Sequence, residues 1–127
     1  MIAAGINDIA ENNGPITLGN ILANIQSMVD LAHANKIKVV LCAVTPADSF
    51  WWRPALKPAE KIVAFNQLLS AYAKEKQLVY VDYFSALVGE NNAIDKRYSD
   101  DAIHPNLAGY RVMEPLVEKA IAQATVR

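Results

Sequence analysis

The chain has 127 residues, which is enough for one domain with a single packed core and too few for two. Twelve basic and thirteen acidic side chains leave a net charge of -1 with no basic stripe or acidic tail, so the composition predicts no nucleic-acid partner and no anionic lipid surface. The single cysteine excludes a scaffold held by internal disulfides, and apolar runs such as 39–44 are far shorter than the roughly 20 residues of a membrane span.

The first third of the chain predicts a strand, a loop and a helix. Met1 to Ala4 resembles the end of a buried strand closed by Gly5, and the polar stretch 10–15 predicts a loop. Thr17 is placed to cap the helix that follows, in which apolar residues recur at helical spacing. These positions are Leu18, Ile21, Leu22, Ile25, Val29 and Ala32.

The middle of the chain repeats this order. Ile37 to Val44 is rich in β-branched residues and almost continuously apolar, which predicts a strand covered on both faces. After a long loop, 45–58, a second helix is predicted from about Pro58 to about Lys76, since proline fits the first turn of a helix. Its predicted core positions are Ile62, Phe65, Leu69 and Tyr72.

The last third predicts a third buried strand, Leu78 to Val81, a helical turn over 83–88, a polar loop, and a last helix after Pro105. Because a proline inside a helix removes a hydrogen bond and clashes with the preceding turn, Pro115 should kink or restart that helix. The candidate core positions of the last helix are Leu107, Tyr110, Val112, Met113, Leu116, Val117 and Ile121.

Apolar strands that alternate with amphipathic helices predict parallel strands joined by right-handed crossovers, an α/β sheet within one domain, 1–127. Ligands of such sheets bind beyond the carboxyl ends of the strands. We therefore expect three segments to share one rim: Gly5 to Asp8, the loop with Trp51, Trp52 and Arg53, and 82–104.

The most informative string is Asp101-Ala102-Ile103-His104-Pro105. Three residues of separation within a turn let a carboxylate reach the Nδ1–H of an imidazole, fix its tautomer, and stabilise the imidazolium that forms when the other ring nitrogen takes a proton. The alternative is that Asp101 caps the helix region and His104 is an ordinary surface residue.

A second string, Gly5-Ile6-Asn7-Asp8, follows the first predicted strand. The amide of an asparagine at such a strand end can donate a hydrogen bond to a developing oxyanion, and a glycine allows close approach of backbone to substrate. The alternative is a plain turn, because glycine, asparagine and aspartate are common turn residues.

Gly-x-Asn-Asp after one parallel strand and Asp-x-x-His-Pro after a later one resemble two signature blocks of the SGNH, or GDSL, hydrolases. The flanks 98–110 and 58–66 are similar to bacterial acylhydrolases of the platelet-activating-factor acetylhydrolase branch, and the resemblance covers essentially the whole chain. It implies a three-layer α/β/α flavodoxin-like parallel sheet that is N-terminally truncated, with about three of five strands present.

The resemblance also implies roles. His104 would be the general base, Asp101 the carboxylate that orients it, and Asn7 a donor of the oxyanion hole, with Gly5 and Asp8 completing the turn. The implied substrate is a small acyl ester and no metal or organic cofactor is implied. The implied source is bacterial, and the compartment depends on whether a signal peptide precedes these residues.

The family's Gly-Asp-Ser turn, which supplies the nucleophile, does not occur in the sequence. No serine of the chain lies on a predicted strand-to-helix elbow that would aim it at His104, so we expect the chain to be inactive alone. The serines are Ser27, Ser49, Ser70, Ser85 and Ser99. The alternative is a non-catalytic binding or assembly module, and in that reading the open edge at Met1 to Ala4 predicts a homo-oligomer.

Trp51, Trp52 and Arg53 are candidates for the wall of a substrate pocket, since exposed tryptophans bind sugar faces and apolar tails. The alternative is that one tryptophan packs on the core and Arg53 makes a surface ion pair. Three other notable residues are given structural roles: His33 on a helix surface, Cys42 in a strand core, and Asp82 as a hydrogen-bond acceptor in a loop.

Overall fold

The computed structural model describes residues 1–126, in which helices surround a small parallel sheet. The elements in chain order are α1 (Ile6–Ile9), α2 (Leu18–Ala34), β1 (Val40–Cys42), α3 (Ala59–Glu75), β2 (Val79–Val81), α4 (Tyr83–Leu87), a 3-10 turn (Glu90–Asn92) and α5 (Leu107–Thr125). The predicted alternation of strands and helices, and so the α/β class, is confirmed.

The sheet is parallel, as predicted, but its strands are shorter than predicted. β1 and β2 pair over three residues each. The predicted first strand is present only as one parallel bridge, in which the Ile2 N–H donates to the Val40 carbonyl at 2.8 Å and the Cys42 N–H donates to the Ile2 carbonyl at 2.9 Å. The spatial order is therefore the Ile2 segment, β1, β2.

The prediction of one strand over 37–44 is wrong at both ends. Ile37 is exposed and lies before the sheet begins. At the other end, Asn66 of α3 binds both backbone groups of Val44: its amide oxygen accepts from the Val44 N–H at 2.8 Å, and its amide nitrogen donates to the Val44 carbonyl at 2.9 Å. The side chain thus takes the place of a neighbouring strand at this residue.

The predicted apolar faces of α2 and α3 are confirmed. Ile21, Ile25 and Val29 of α2 are buried, and the other three predicted positions of that helix are partly buried against the same core. All four positions predicted for α3 are buried. These faces pack with Leu41 of β1 and with Phe50 of the following loop in one continuous core.

The prediction for α5 is partly wrong. Leu107, Tyr110 and Ile121 are exposed, whereas two alanines, Ala120 and Ala124, are buried against the strands. Small side chains let the helix approach the sheet closely, and a pattern search for large apolar residues overlooks them. The three predicted positions that do pack on this cluster, each partly buried, are Met113, Leu116 and Val117.

The predicted restart at Pro115 does not occur, because α5 continues through it as one helix. Pro115 and Arg111, the residue one turn earlier, are both exposed. Water can therefore satisfy the carbonyl that the missing proline N–H would have bonded. Among the residues that the structure describes, no helix is both long enough and apolar enough to cross a membrane.

Candidate active site

The candidate active site lies at the carboxyl edge of the sheet, and the direction of α5 shows why His104 belongs there. The last turn of α5 lies at the amino ends of the strands, where Lys38 Nζ donates to the Thr125 carbonyl at 3.0 Å. Met113, in the first half of α5, lines a cavity together with Val44, which follows β1. The helix therefore runs back across the sheet from its carboxyl edge, and the segment just before it starts at that edge.

The predicted pair is formed within this segment. One carboxylate oxygen of Asp101, Oδ2, lies 2.6 Å from Nδ1 of His104. The other oxygen, Oδ1, accepts the backbone N–H groups of Ile103 at 2.9 Å and His104 at 2.7 Å. With Asp101 bound to Nδ1, the second ring nitrogen, Nε2, is the position at which a proton can be exchanged. The alternative role for Asp101, as the helix cap, is excluded because Asn106 caps α5.

Two neighbours of the pair fix the turn. Ser99 is buried and donates its hydroxyl to Oδ1 of Asp101 at 3.2 Å. Ala102 has φ 68°, in the left-handed region that residues other than glycine rarely adopt. This conformation turns the chain sharply enough for one carboxylate to reach two successive backbone N–H groups and the imidazole of the same turn.

These contacts lower the pKa of Asp101 well below its usual range. The largest cause is the hydrogen bond from His104, followed by the backbone N–H groups of His104 and Ile103. The carboxylate therefore stays charged across the physiological range and can stabilise an imidazolium beside it. The His104 side chain is 73% exposed, which leaves the ring accessible to a reaction partner.

The start of α5 is tied to the loop before it. Asn106 accepts the Gly109 N–H at 3.0 Å and donates to the Arg97 carbonyl at 3.2 Å and to Asp100 at 3.1 Å. Gly109 packs so tightly that a Cβ placed there would lie 2.7 Å from the Tyr98 carbonyl oxygen. His104 thus lies within a turn that is closed by the β-bridge between Ser99 and Pro105. The turn is followed by a helix whose first residues are bonded to the loop before it.

The second predicted string forms a tight turn into α1. Gly5 is buried with φ 123°, and a Cβ there would lie 3.0 Å from the Phe65 ring and 3.3 Å from Val44. Both the conformation and the close approach therefore require glycine. Asn7 and Asp8 lie in α1, with Asn7 exposed at the same edge of the sheet as the segment that carries His104.

The amide of Asn7 is held by two contacts that the sequence did not indicate. Asn12 donates from Nδ2 to the Asn7 amide oxygen at 3.0 Å, and Trp52 donates from its indole nitrogen to the Asn12 amide oxygen at 3.0 Å. Asn12 lies in the loop that was predicted only as polar. Nothing in the local pattern signals this contact, because its two partners are 40 residues apart.

Both tryptophans of the loop after β1 are exposed, Trp52 less so than Trp51, with 36% of its surface accessible. Trp52 lies against the fully buried Phe50 with ring centroids 5.1 Å apart, and Trp51 meets Trp52 edge-on at 5.2 Å. Trp51 is 77% exposed, and Arg53 is exposed beside it. The pocket role predicted for these three residues stays a prediction.

The serines of the chain do not form a nucleophilic elbow in the described residues. Ser27 and Ser70 lie in helices, Ser49 donates weakly to Asp48 at 3.4 Å, and Ser99 serves Asp101 as above. Ser85 donates to Asp82, which caps α4 and also accepts the Ser85 N–H at 3.0 Å. The acceptor role predicted for Asp82 is confirmed.

The other two residues that were given structural roles, His33 and Cys42, have those roles in the structure. His33 is exposed in the last turn of α2. Cys42 is buried in β1 and contacts Tyr83, and burial raises the pKa of its thiol to about 11. Within residues 1–126, no group of three His, Cys, Asp or Glu side chains could hold a metal ion.

An apolar cavity of about 110 Å³ lies at the carboxyl edge and is lined by Ile6, the residue before Asn7. Its lining also includes Ala3 and Ala4, the residues that extend the Ile2 segment, and Thr45, Tyr83 and Met113. Ala3 and Ala4 are exposed. The Ile2 segment is therefore bonded to β1 on one side and open on the other, as the predicted edge requires.

Comparison with known proteins places this geometry in a family. The sequence matches the GDSL-like lipase/acylhydrolase family over residues 1–112. The comparison with curated proteins gave no match.

Three solved structures are similar to this one. A Bacteroides fragilis protein assigned to the acylhydrolases is 45% identical with a TM-score of 0.94, and the match covers 99% of this chain and 61% of that one. A GDSL-like lipase from Bacteroides thetaiotaomicron is 44% identical with a TM-score of 0.93, covering 97% and 61%. An acetylxylan esterase from Geobacillus stearothermophilus has the same fold at 18% identity, with a TM-score of 0.73 and 94% and 57% covered.

The chain thus spans 61% of the length of each of the two Bacteroides relatives. The match runs through the Gly5 turn, both strands, the Asp101–His104 turn and the start of α5. The resemblance stated from the sequence is confirmed, and the chain belongs to the GDSL-like lipase/acylhydrolase family.

Proposed function

We propose that these residues are the part of a serine ester hydrolase that supplies the general base, its orienting carboxylate and one oxyanion donor. The nucleophilic serine is contributed from outside the 127 residues. The observation that carries this proposal is the 2.6 Å contact between Asp101 Oδ2 and His104 Nδ1, in a turn whose other contacts all serve to hold the carboxylate in place.

The reaction follows from these roles. The serine oxygen attacks the ester carbonyl while Nε2 of His104 takes the hydroxyl proton, and Asp101 stabilises the imidazolium. The carbonyl oxygen becomes an oxyanion and accepts a hydrogen bond from the Asn7 amide. The tetrahedral intermediate expels the alcohol, which leaves with the proton from His104. Water, deprotonated by His104, then attacks the acyl-enzyme and releases the acid and the serine.

The proposed substrate class is small acyl esters. Trp51 and Arg53 offer an exposed apolar face and a cation at the same rim, which suits an alcohol part larger than the acyl group. The Geobacillus relative, which has the same fold, is an acetylxylan esterase.

A joined protein tests the proposal. The part of the Bacteroides fragilis relative that lies outside the match is fused ahead of Met1, and turnover of p-nitrophenyl acetate is compared with that of the 127 residues alone. We expect activity only in the joined protein, labelling of its added serine by an organophosphate, and loss of activity in His104→Ala. His33→Ala changes the other histidine of the 127 residues, an exposed one, and should leave activity unchanged.

Two results contradict the proposal. One is activity that survives His104→Ala in the joined protein, since the base would then lie elsewhere. The other is an in-frame DNA sequence upstream of Met1 that ends at a stop codon or is unrelated to a Gly-Asp-Ser turn, because the natural protein would then have no nucleophile.

A second candidate function, a non-catalytic assembly module, is favoured by the open edge of the sheet. Met1, Ala3 and Ala4 are exposed, and the Ile2 segment is bonded to β1 on one side only. An apolar edge of this kind pairs with another strand, and we propose that a second copy of this chain occupies it. Size-exclusion chromatography with light scattering should show a dimer or larger assembly, and a stable monomer would contradict this candidate.

A further inference from the structure

The indole of Trp52 is joined to Asn7 through one intermediate side chain. Trp52 Nε1 lies 3.0 Å from Asn12 Oδ1, and Asn12 Nδ2 lies 3.0 Å from Asn7 Oδ1. These three residues come from the loop after β1, the loop after α1, and α1 itself. We call this chain of two hydrogen bonds the indole–amide relay.

The direction of the relay is fixed by its first member. An asparagine amide can rotate by half a turn and exchange its oxygen for its nitrogen with little change in shape, but an indole nitrogen can only donate. Trp52 therefore holds the oxygen of Asn12 toward itself, which points the Asn12 NH₂ at Asn7. Asn7 must in turn present its own oxygen to Asn12, and its NH₂ is left facing away from the relay.

The start of the relay rests on the protein core, although Trp52 itself is 36% exposed. The Trp52 ring lies 5.1 Å from the ring of Phe50, which has no exposed surface. The Arg53 N–H donates to the Phe50 carbonyl at 3.0 Å and closes the turn that carries both tryptophans. The indole is thus held against the core, and through hydrogen bonds it orients two exposed amides that would otherwise rotate freely.

We infer that Trp52 and Asn12 are positioning residues that hold the Asn7 amide with its NH₂ turned toward the developing oxyanion. This inference rests on the proposed function, because it gives the relay its purpose. An amide in the reversed orientation would present oxygen to the oxyanion, and repulsion would replace the hydrogen bond that stabilises the transition state.

The relay acts on the transition state, so its loss should lower kcat and leave KM nearly unchanged. A neutral hydrogen bond contributes roughly a fivefold difference in an equilibrium constant, so Trp52→Phe, which keeps the stacked ring, should lower kcat about three- to tenfold. Asn12→Ala should have a similar effect. Asn12→Asp should have a larger one, because its carboxylate accepts from both neighbours and turns the Asn7 NH₂ away from the substrate.

The kinetic test uses the joined protein and a double-mutant cycle. Trp52→Phe, Asn12→Ala and Asn12→Asp are each measured in the wild-type and in the Asn7→Ala background, with thermal melting of every variant. Asn13→Ala is the matched control, an exposed neighbour outside the relay, and should leave kcat unchanged. We expect Trp52→Phe and Asn12→Ala to have no further effect on kcat once Asn7 is alanine.

Additive effects of Trp52→Phe and Asn7→Ala would overturn the inference, since the indole would then act independently of the amide. A rise in KM alone would overturn it as well, because Trp52 would then be a pocket wall. A kcat for Asn12→Asp equal to that of the wild type would do the same.

Nuclear magnetic resonance of the 127-residue chain separates this inference from the proposed function. Asn12→Ala should shift both the Trp52 indole N–H and the Asn7 side-chain NH₂ resonances, and Asn13→Ala should shift neither. If these shifts occur and His104→Ala abolishes activity while the cycle is additive, only the positioning role fails. Activity that survives His104→Ala overturns the proposed function and, with it, the role of the relay.

Discussion

The two halves of the candidate site are held in different ways. The Asp101–His104 turn is local: the imidazole, two backbone N–H groups and the hydroxyl of Ser99 all bind one carboxylate within six residues, 99–104. The Asn7 amide, by contrast, is held at one oxygen by an exposed side chain that depends on a tryptophan 40 residues further along the chain. The proposed base and the more weakly held proposed oxyanion donor can therefore be disturbed separately.

The largest effect is expected from Asp101→Asn in the joined protein. The amide has nearly the same shape as the carboxylate but can neither stabilise an imidazolium nor enforce the tautomer with a proton on Nδ1. If Asp101 has the proposed role, we expect kcat to fall by about 10³- to 10⁴-fold, as when the carboxylate of a Ser-His-Asp triad is replaced by an amide. Steady-state hydrolysis of p-nitrophenyl acetate measures it.

The matched control is Asp95→Asn, which breaks the exposed ion pair with Arg97 at 2.8 Å away from the Asp101–His104 pair and should leave kcat within a few-fold of the wild type. If Asp101→Asn lowered kcat no more than Asp95→Asn, Asp101 would have no catalytic role and the rigid half of the site would be only structural.

Gly109→Ala tests whether the base half depends on the packing of α5. The added methyl would lie 2.7 Å from the Tyr98 carbonyl and 3.0 Å from the Pro105 side chain, so the backbone must move. We expect a loss of about 1–3 kcal/mol in the free energy of unfolding, measured by urea denaturation.

Gly19→Ala is the control for this substitution, because a Cβ there meets nothing closer than 4.0 Å. Gly19 lies in α2, where alanine is the better helix former, so this variant should be unchanged or slightly more stable. Equal stability of the two variants would show that α5 yields easily at Gly109 and does not lock the loop that carries His104.

The features that the sequence predicts follow the same division between local contacts and contacts of distant segments. The Asp101–His104 turn and the Gly5 turn were predicted, because each is formed by a few consecutive residues. The buried faces of α2 and α3 were predicted because their positions repeat at helical spacing against a covered core. Local pattern is sufficient where the contacts are local or the whole face is buried.

Contacts between distant segments were not predicted. The relay from Trp52 to Asn12 and the capture of Val44 by Asn66 join residues 40 and 22 positions apart, and single polar side chains leave no periodic signal. In α5 the periodicity was present but misleading. Leu107, Tyr110 and Ile121 have the expected spacing, yet no part of the described chain covers them, and the sheet is met by alanines instead.

A smaller effect is expected from Ser99→Ala. The substitution removes one of the donors to Asp101 Oδ1 at 3.2 Å and leaves the others in place. Since the carboxylate keeps three partners, we expect a loss of about 1 kcal/mol in the free energy of unfolding and only a few-fold fall in kcat. Ser27→Ala, which removes an exposed hydroxyl bonded to the Ala23 carbonyl within α2, should be neutral by comparison.

The smallest effect is a dependence of stability on acid. Hydrogen bonds from His104 hold the pKa of Asp101 in the folded protein below the usual value of 3.8. The carboxylate therefore adds stability above that pH, and the contribution is lost as the pH falls from 3.8 toward the lowered value. Asp95, whose pKa is lowered to about 2 by the hydrogen bonds from Arg97, acts in the same direction.

Melting temperatures of the wild type and of Asp101→Asn between pH 6 and pH 2 isolate the effect of Asp101, because Asp95 is present in both proteins. The difference in melting temperature between the wild type and Asp101→Asn should be constant near neutral pH and should shrink in acid. Because half of the Asp101 side chain is exposed, solvent screening keeps the change small. A difference that stays constant down to pH 2 would mean that the Asp101 carboxylate is not stabilised in the folded state, and that the base half is held by its backbone alone.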